Sequence, residues 1–384
     1  MIDNFDLKKI VQPLQEWFQE NARVLPWREN PLGYYVWISE IMLQQTRVEA
    51  VKPYFDRFIR ELPDVKALAE CPEDKLLKLW EGLGYYNRVR NLNIAAKQVM
   101  EDYDGIIPSE YEELLKLKGI GHYTAGAIAS IAYGKRVPAV DGNVLRVISR
   151  VTADDSDIMK QSVRTHMEEK LLELMHNLAG EATQQEERLI PSVFNQALME
   201  LGATVCVPNG APHCEKCPWQ DFCEARLQNR IEELPVKKKS KERRIENKTV
   251  LIIKDGEQVA LHKRGNKGLL AGLYELPNLE GHLNEEEVLS AIEKRGYEAI
   301  RIQPLCDAKH IFSHVEWHMK GYVVFLSHRE FAKVCDDEKE GTSLSPQDWI
   351  FVNVEETKER YAIPSAFAKY AEYINLVLGK DAIS

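Results

Sequence analysis

Four of the seven cysteines fall between residues 206 and 223, as Cys206-x7-Cys214-x2-Cys217-x5-Cys223. Thiolates so spaced converge only if the chain loops round one centre, and ligation by four thiolates suits either a [4Fe–4S] cluster or structural zinc. Four unrelated buried cysteines would each need a separate reason to lie in one short, proline-rich loop, so a metal centre is the better reading; spacing alone does not choose the metal. A second signal is Leu117-Lys-Gly-Ile-Gly-His-Tyr-Thr-Ala125, which sets Gly119 and Gly121 between two helical stretches. Glycines there let the backbone turn tightly and leave amides free at the next helix start, where a phosphate is stabilised. A plain helical hairpin with a glycine turn has the same pattern.

A third signal is a pair of carboxylates. Glu40 lies in Val36-Trp-Ile-Ser-Glu-Ile-Met-Leu-Gln-Gln-Thr46, a helical stretch whose apolar residues wrap most of its circumference. Burial there raises the carboxyl pKa, and a Glu that keeps its proton near neutral pH can act as a general acid. Asp141, in Pro138-Ala-Val-Asp-Gly-Asn-Val144, stands at the start of a helix whose N-terminal amides are expected to hold it ionised. Two carboxyls with opposed protonation are the tools for cleaving a glycosidic bond: one protonates the leaving group and the other offsets the oxocarbenium charge. The plainer alternatives are that Asp141 is only an N-cap and that Glu40 is half of a buried ion pair with Arg28 or Arg47.

These residues need elements to hold them. From Leu7 to about Arg226 apolar residues recur at three and four, with Pro53, Pro63, Pro72 and Pro108 at the breaks, which predicts an all-α region of about 230 residues. Leu234 to Arg244 is a charge run that predicts an exposed linker. After it the pattern changes: Thr249–Ile253 and Val259–His262 about an Asp255-Gly256 turn predict a β-hairpin, Asn284–Arg295 a helix and Trp317–Leu326 a strand. The chain is therefore expected to be multidomain, an all-α region followed by an α+β region of about 120 residues. The boundaries expected are 1–229, a basic linker 230–246, 247–365, and a tail 366–384. With 384 residues and 44% apolar content each region can bury its own core, so disorder is excluded as the main state. Net charge is −10, divided as −7 over residues 1–230, +3 over 231–250 and −6 beyond. That sum argues against indiscriminate polyanion binding but leaves one cleft or linker free to differ. The uncharged stretch Gly119–Gly134 is shorter than the ~18 residues a membrane span needs. Met1–Val11 has no apolar export segment, and the crowded thiols suit a reducing compartment, so a cytoplasmic protein of bacterial type is expected. Cys71, Cys306 and Cys335 are read as core or incidental thiols.

The combination of Leu25-Pro-Trp-Arg28, Ser39-Glu-Ile-Met-Leu-Gln-Gln-Thr46, Gly82-Leu-Gly-Tyr-Tyr86, the glycine hairpin, Val140-Asp-Gly-Asn143 and the cysteine loop resembles the A/G-specific adenine DNA glycosylases of the MutY family, over about residues 7–365. The resemblance implies a helix-hairpin-helix glycosylase domain with a [4Fe–4S] loop, and it tips the metal choice toward iron–sulfur. The first cysteine gap is one residue longer than is usual there, and Lys118 stands where the hairpin usually has Pro. By the same resemblance, Glu40 protonates adenine and Asp141, positioned by Asn143, stabilises the sugar cation. Tyr123 takes the place of the nucleophilic Lys of the related endonuclease III type; a phenol makes no imine, so a monofunctional enzyme leaving an abasic site is implied. Leu25, Trp27, Arg28 and Gln196 are implied as the adenine pocket, and Gln45, Thr46, Leu83 and Tyr85 as the group inserted round the opposite base, Tyr85 as the wedge.

The C-terminal region resembles the MutT-like (Nudix) domain of that family through Gly268-Leu-Leu-Ala-Gly-Leu-Tyr-Glu-Leu-Pro277 and His310-Ile-Phe-Ser-His314. Arg295 is followed by Gly-Tyr-Glu-Ala rather than the Glu-rich box of a hydrolase, so this domain is expected to bind and not to hydrolyse. Phe312, Ser313 and His314 are implied as readers of 8-oxoguanine; a β-hairpin tip over a packed aromatic is the plainer reading. The partner implied is duplex DNA carrying an A:8-oxoguanine or A:G mispair, bound by a monomer with no membrane association. Two other classes fit parts of the pattern: a bifunctional glycosylase/lyase, and a non-catalytic DNA-binding module with structural zinc.

Overall fold

The computed structural model describes residues 2–178, 189–238, 242–327 and 349–375; Cys335, the middle of the basic linker and the end of the expected tail lie outside them. Contacts divide the chain into two units, residues 1–71 with 90–240 and residues 72–89 with 241–384. The segment 72–89, expected with the helical region, thus groups with the sheet. Among the described residues no helix is long and apolar enough to cross a membrane.

Among its described residues the first unit has helices joined by turns and loops and no strand. One of its cores packs Leu14 and Phe18 of the Val11–Asn21 helix against Val144, Leu145 and Ile148 of Gly142–Val151, Leu171 of Gln161–Asn177 and Phe194, Leu198 and Leu201 of Pro191–Thr204. Close approach is enforced where glycine stands. A Cβ on Gly126 would meet the Pro138 carbonyl oxygen at 2.1 Å, and one on Gly202 the Asn143 Cβ at 2.6 Å. Both contacts bring backbone up to the segment that carries Asp141.

The second unit is a mixed sheet of β1 (Arg244–Asp255), β2 (Gln258–Lys263), β3 (Tyr274–Glu275), β4 (Asn278–Glu280), β5 (Ala299–Ile311), β6 (Val315–Leu326) and β7 (Trp349–Asn353). The order is β3-β2-β1-β6-β5, with β4 pairing β1 and β7 pairing β2. The pair β1 and β6 runs parallel, Val250 opposite Gly321, and the other pairings are antiparallel. Period-two alternation sends Val250 and Ile252 to one core and Leu251 and Ile253 to another on the opposite face, which is why that run is apolar without a break. The helix Glu285–Glu293, begun by an Asn284–Glu287 capping box, covers one face with Val288 and Ile292. Phe367 and Tyr370 are fully buried in the other core, so packing continues beyond the expected boundary at 365.

Candidate active site

The helix Gly33–Leu43 buries eight of its residues, Tyr34 and Val36 through Met42, and carries Glu40 inward at 5% exposure. Its carboxyl meets the Tyr123 hydroxyl, which donates to Oε2 and also lies 3.2 Å from Met199 Sδ. Burial pushes Glu40 up to about 7, and the Asp141 charge adds to the rise, while the Tyr123 hydrogen bond and the Arg28 charge oppose it. The direction of that shift is the one the sequence reading gave for a carboxyl buried in an apolar helix. The plainer alternative, a buried ion pair with Arg28 or Arg47, is not what the structure gives. Arg28 binds Glu200 at 2.8 Å and the Arg23 carbonyl at 3.1 Å, and Arg47 is exposed.

Asp141 caps the helix Gly142–Val151. Its Oδ1 accepts from the Asn143 and Val144 amides at 2.8 Å each, and its Oδ2 accepts from Asn143 Nδ2 at 2.8 Å. The amides do oppose protonation, as expected, but they do not prevail. Burial is the larger effect and leaves the Asp141 pKa raised above 3.8. Burial thus raises both carboxyls, and what sets Asp141 apart is the pair of amides and the Asn143 side chain bonded to it. Arg146 braces the cap: Nη2 donates to Asn143 Oδ1 at 2.9 Å and to the Gly202 carbonyl at 2.7 Å, and Nε to the Cys206 carbonyl at 2.8 Å.

One cavity of about 560 Å³ is lined by Glu40, Tyr123, Asp141 and Asn143, by Leu25, Trp27, Arg28 and Gln196, and by Gln45 and Thr46. Residues implied for the chemistry, the pocket and part of the opposite-base group are thus gathered in one place. Gly119 (φ +79°) makes the hairpin turn, where a Cβ would meet Asn91 at 2.7 Å, and Gly121 precedes the helix His122–Ala127; neither lines the cavity. Three residues escaped the sequence reading. Arg23 and Glu200 stand on the cavity wall, and Asn195, fully buried, ties the loop before Asp141 in place by accepting from the Ala139 amide and donating to the Val137 carbonyl and Ser130. Glu200 and Asn195 share the signal that found Glu40, a polar side chain inside an apolar helical run, here Phe194–Leu201.

In the second unit the Tyr85 and Ser313 hydroxyls meet at 2.9 Å, so two residues implied for the lesion side are in contact. Tyr85 has φ +48° and is half exposed; the Arg88 guanidinium lies 5.7 Å from its ring. Phe312 closes the turn between β5 and β6 with its amide on the Val315 carbonyl at 2.8 Å, and its ring meets Trp317 edge-on at 4.9 Å. Ser313 and His314 are exposed, while Leu83 is buried.

Cys206, Cys214, Cys217 and Cys223 line one small cavity with Trp219, Arg150 and Arg226. Among the described residues no three His, Cys, Asp or Glu side chains close on a single-ion position. What fits a thiolate-ligated group is the donor set itself: four free thiols on one pocket, with Arg150 Nη1 donating to Cys206 Sγ at 3.3 Å.

A helical unit bearing a glycine hairpin and a buried Glu and Asp on one cavity defines a class, and residues 38–173 match the HhH-GPD superfamily of base excision DNA repair proteins. Residues 249–373 match the NUDIX domain. Over most of its length the chain is similar to the adenine DNA glycosylase of Buchnera aphidicola subsp. Baizongia pistaciae, 34% identical over 323 residues that cover 82% of this chain and 86% of that one. It is also similar to the mouse adenine DNA glycosylase, 34% identical with 84% and 72% covered. The chain belongs to the adenine DNA glycosylase family. Among solved structures, a thermostable thymine-DNA glycosylase matches with a TM-score of 0.48 and 28% identity, over 58% of this chain and 97% of that one.

Proposed function

We propose that this protein removes adenine mispaired with 8-oxoguanine or guanine from duplex DNA by hydrolysing its N-glycosidic bond. The observation that carries this is the single cavity holding Glu40, buried and titrating at about 7, beside Asp141. Adenine leaves the base stack, at a few kcal/mol, and enters the cavity. Glu40 gives its proton to a ring nitrogen as the bond to C1′ breaks, and the bonding electron pair leaves with the purine. Asp141, held by the two amides and by Asn143, faces the cation left on the sugar. Water adds at C1′ and its proton returns to a carboxylate, so the products are free adenine and an abasic site. Tyr123 supplies no amine, so no imine and no strand cleavage follow.

Phe312, Ser313 and His314, with Tyr85, would read the opposite base, and the amides after Gly119 and Gly121 would meet a backbone phosphate. The four cysteines would hold a [4Fe–4S] cluster, which would supply a structural anchor for the loop 206–223. The test is a release assay on duplexes carrying adenine opposite 8-oxoguanine or guanine. Free adenine is expected, with strand scission only after alkali; a borohydride-trapped enzyme–DNA adduct would instead make the protein a lyase.

A further inference from the structure

Glu200 is 1% exposed, yet nothing in the excision steps uses it. Its Oε1 accepts from Arg23 Nε at 2.6 Å and from the Arg23 amide at 3.2 Å; its Oε2 accepts from Arg23 Nη2 at 3.0 Å and from Arg28 Nη2 at 2.8 Å. Burial alone would raise its pKa, but the Arg23 hydrogen bond and the Arg28 charge outweigh burial and hold it below 4.5, so it is an anion at neutral pH. The groups that bear on Glu40 come from each neighbouring element. They are Tyr123, Asp141 and Arg28, with Arg23, Arg164 and Glu200 on the same cavity wall. Arg28 is thus shared ground between two carboxyls, one held below and one pushed above its ordinary value. A guanidinium that bonded Glu40 would stabilise its anion and remove the proton donor.

We propose that Glu200 is a positioning residue of the site: clamped by Arg23, its carboxylate holds the Arg28 guanidinium off Glu40, so that Glu40 stays an acid instead of becoming half of an ion pair. This rests on the excision reaction proposed above. Removing the Glu200 charge frees Arg28 to turn to Glu40, the carboxyl whose ionised form its charge already favours.

The experiment is the pH profile of single-turnover adenine release by the full chain, for wild type, Glu200→Gln and the double variant Glu200→Gln/Arg28→Gln. In Glu200→Gln the alkaline limb is expected to move down by about one pH unit, so that release falls about tenfold at pH 8 but only about twofold at pH 6. The double variant is expected to bring the limb back to or above the wild-type position, whatever its absolute rate. A loss equal at every pH, or an unmoved limb, would overturn the proposal by making Glu200 a packing residue. Should Glu200→Gln fail to fold by far-UV circular dichroism, Glu200→Asp takes its place; one methylene shorter, it loosens the grip on Arg28 and is expected to move the limb the same way by less, an unmoved limb again counting against the proposal. A wild type that releases no adenine would fail the excision reading itself, and is thereby distinguished from a fixed limb in an active enzyme.

Discussion

A carboxyl that must give up a proton near neutrality has to be kept from ionising, and Glu40 is kept so by being taken out of water with a hydroxyl as its partner. If the protonated form acts, as proposed, release should fall as pH rises through about 7, the alkaline limb. Asp141 must be ionised to face the cation, and burial lifts it above 3.8, so the acid limb should lie above that value. A pH series of single-turnover release checks both limbs; a rate flat from pH 6 to 9 contradicts the acid role. The same burial has a stability consequence. Between pH 4.5 and 7 the unfolded Glu40 loses its proton while the folded one keeps it, so stability falls as pH rises through that window, by up to about 3 kcal/mol. Glu40→Gln carries no such penalty, and urea unfolding should find it more stable than wild type at pH 8 but about equal at pH 4.5. Glu40 was legible because it interrupts an apolar helix. Glu200 offers the same interruption, but its meaning lies in Arg23 and Arg28, some 170 residues earlier in the chain, a separation that no local pattern bridges.

The helix Pro191–Thr204 organises the site at the scale of elements. It gives Asn195 to the loop before Asp141, Gln196 to the cavity, Met199 to Tyr123 and Glu200 to the two arginines. Its Gly202 lies against Asn143, where a new Cβ would meet Cβ at 2.6 Å and Cα at 3.2 Å. In an exposed helix Gly→Ala would stabilise by about 1 kcal/mol, but here the backbone of the Asp141 cap must move. Gly202→Ala should therefore lose about 1–3 kcal/mol in urea unfolding and slow adenine release; a variant more stable than wild type with full activity contradicts the packing. Elements set by local pattern were readable, among them the β1–β2 hairpin about Asp255-Gly256 and the Asn284-capped helix. Strand β5 was not. Pro304, Cys306, Asp307 and Lys309 hide its alternation, and its register against β6 slips between Leu305 and Ala308. The parallel pairing of β1 with β6 joins segments about seventy residues apart and depends on both sheet faces being covered.

At the scale of the whole molecule two folded units serve one proposed reaction, each with its own share of the recognition. The sheet unit offers Ser313, exposed at a turn and bonded to Tyr85. Ser313→Ala should leave release from A:G duplexes within about twofold while narrowing the preference for 8-oxoguanine, the loss of a hydrogen bond amounting to about 1 kcal/mol; competition between the two duplexes reads this, and an unchanged preference removes Ser313 from the lesion contact. The helical unit bears the proposed chemistry, and the most direct measurement is single-turnover release of free adenine from an A:8-oxoguanine duplex by wild type, Glu40→Gln and Asp141→Asn, with duplex affinity measured alongside. Wild type should release the base, and each variant should lose release by at least about a hundredfold while still binding the duplex. Near-wild-type release by either variant would contradict the assignment of proton donor and cation partner.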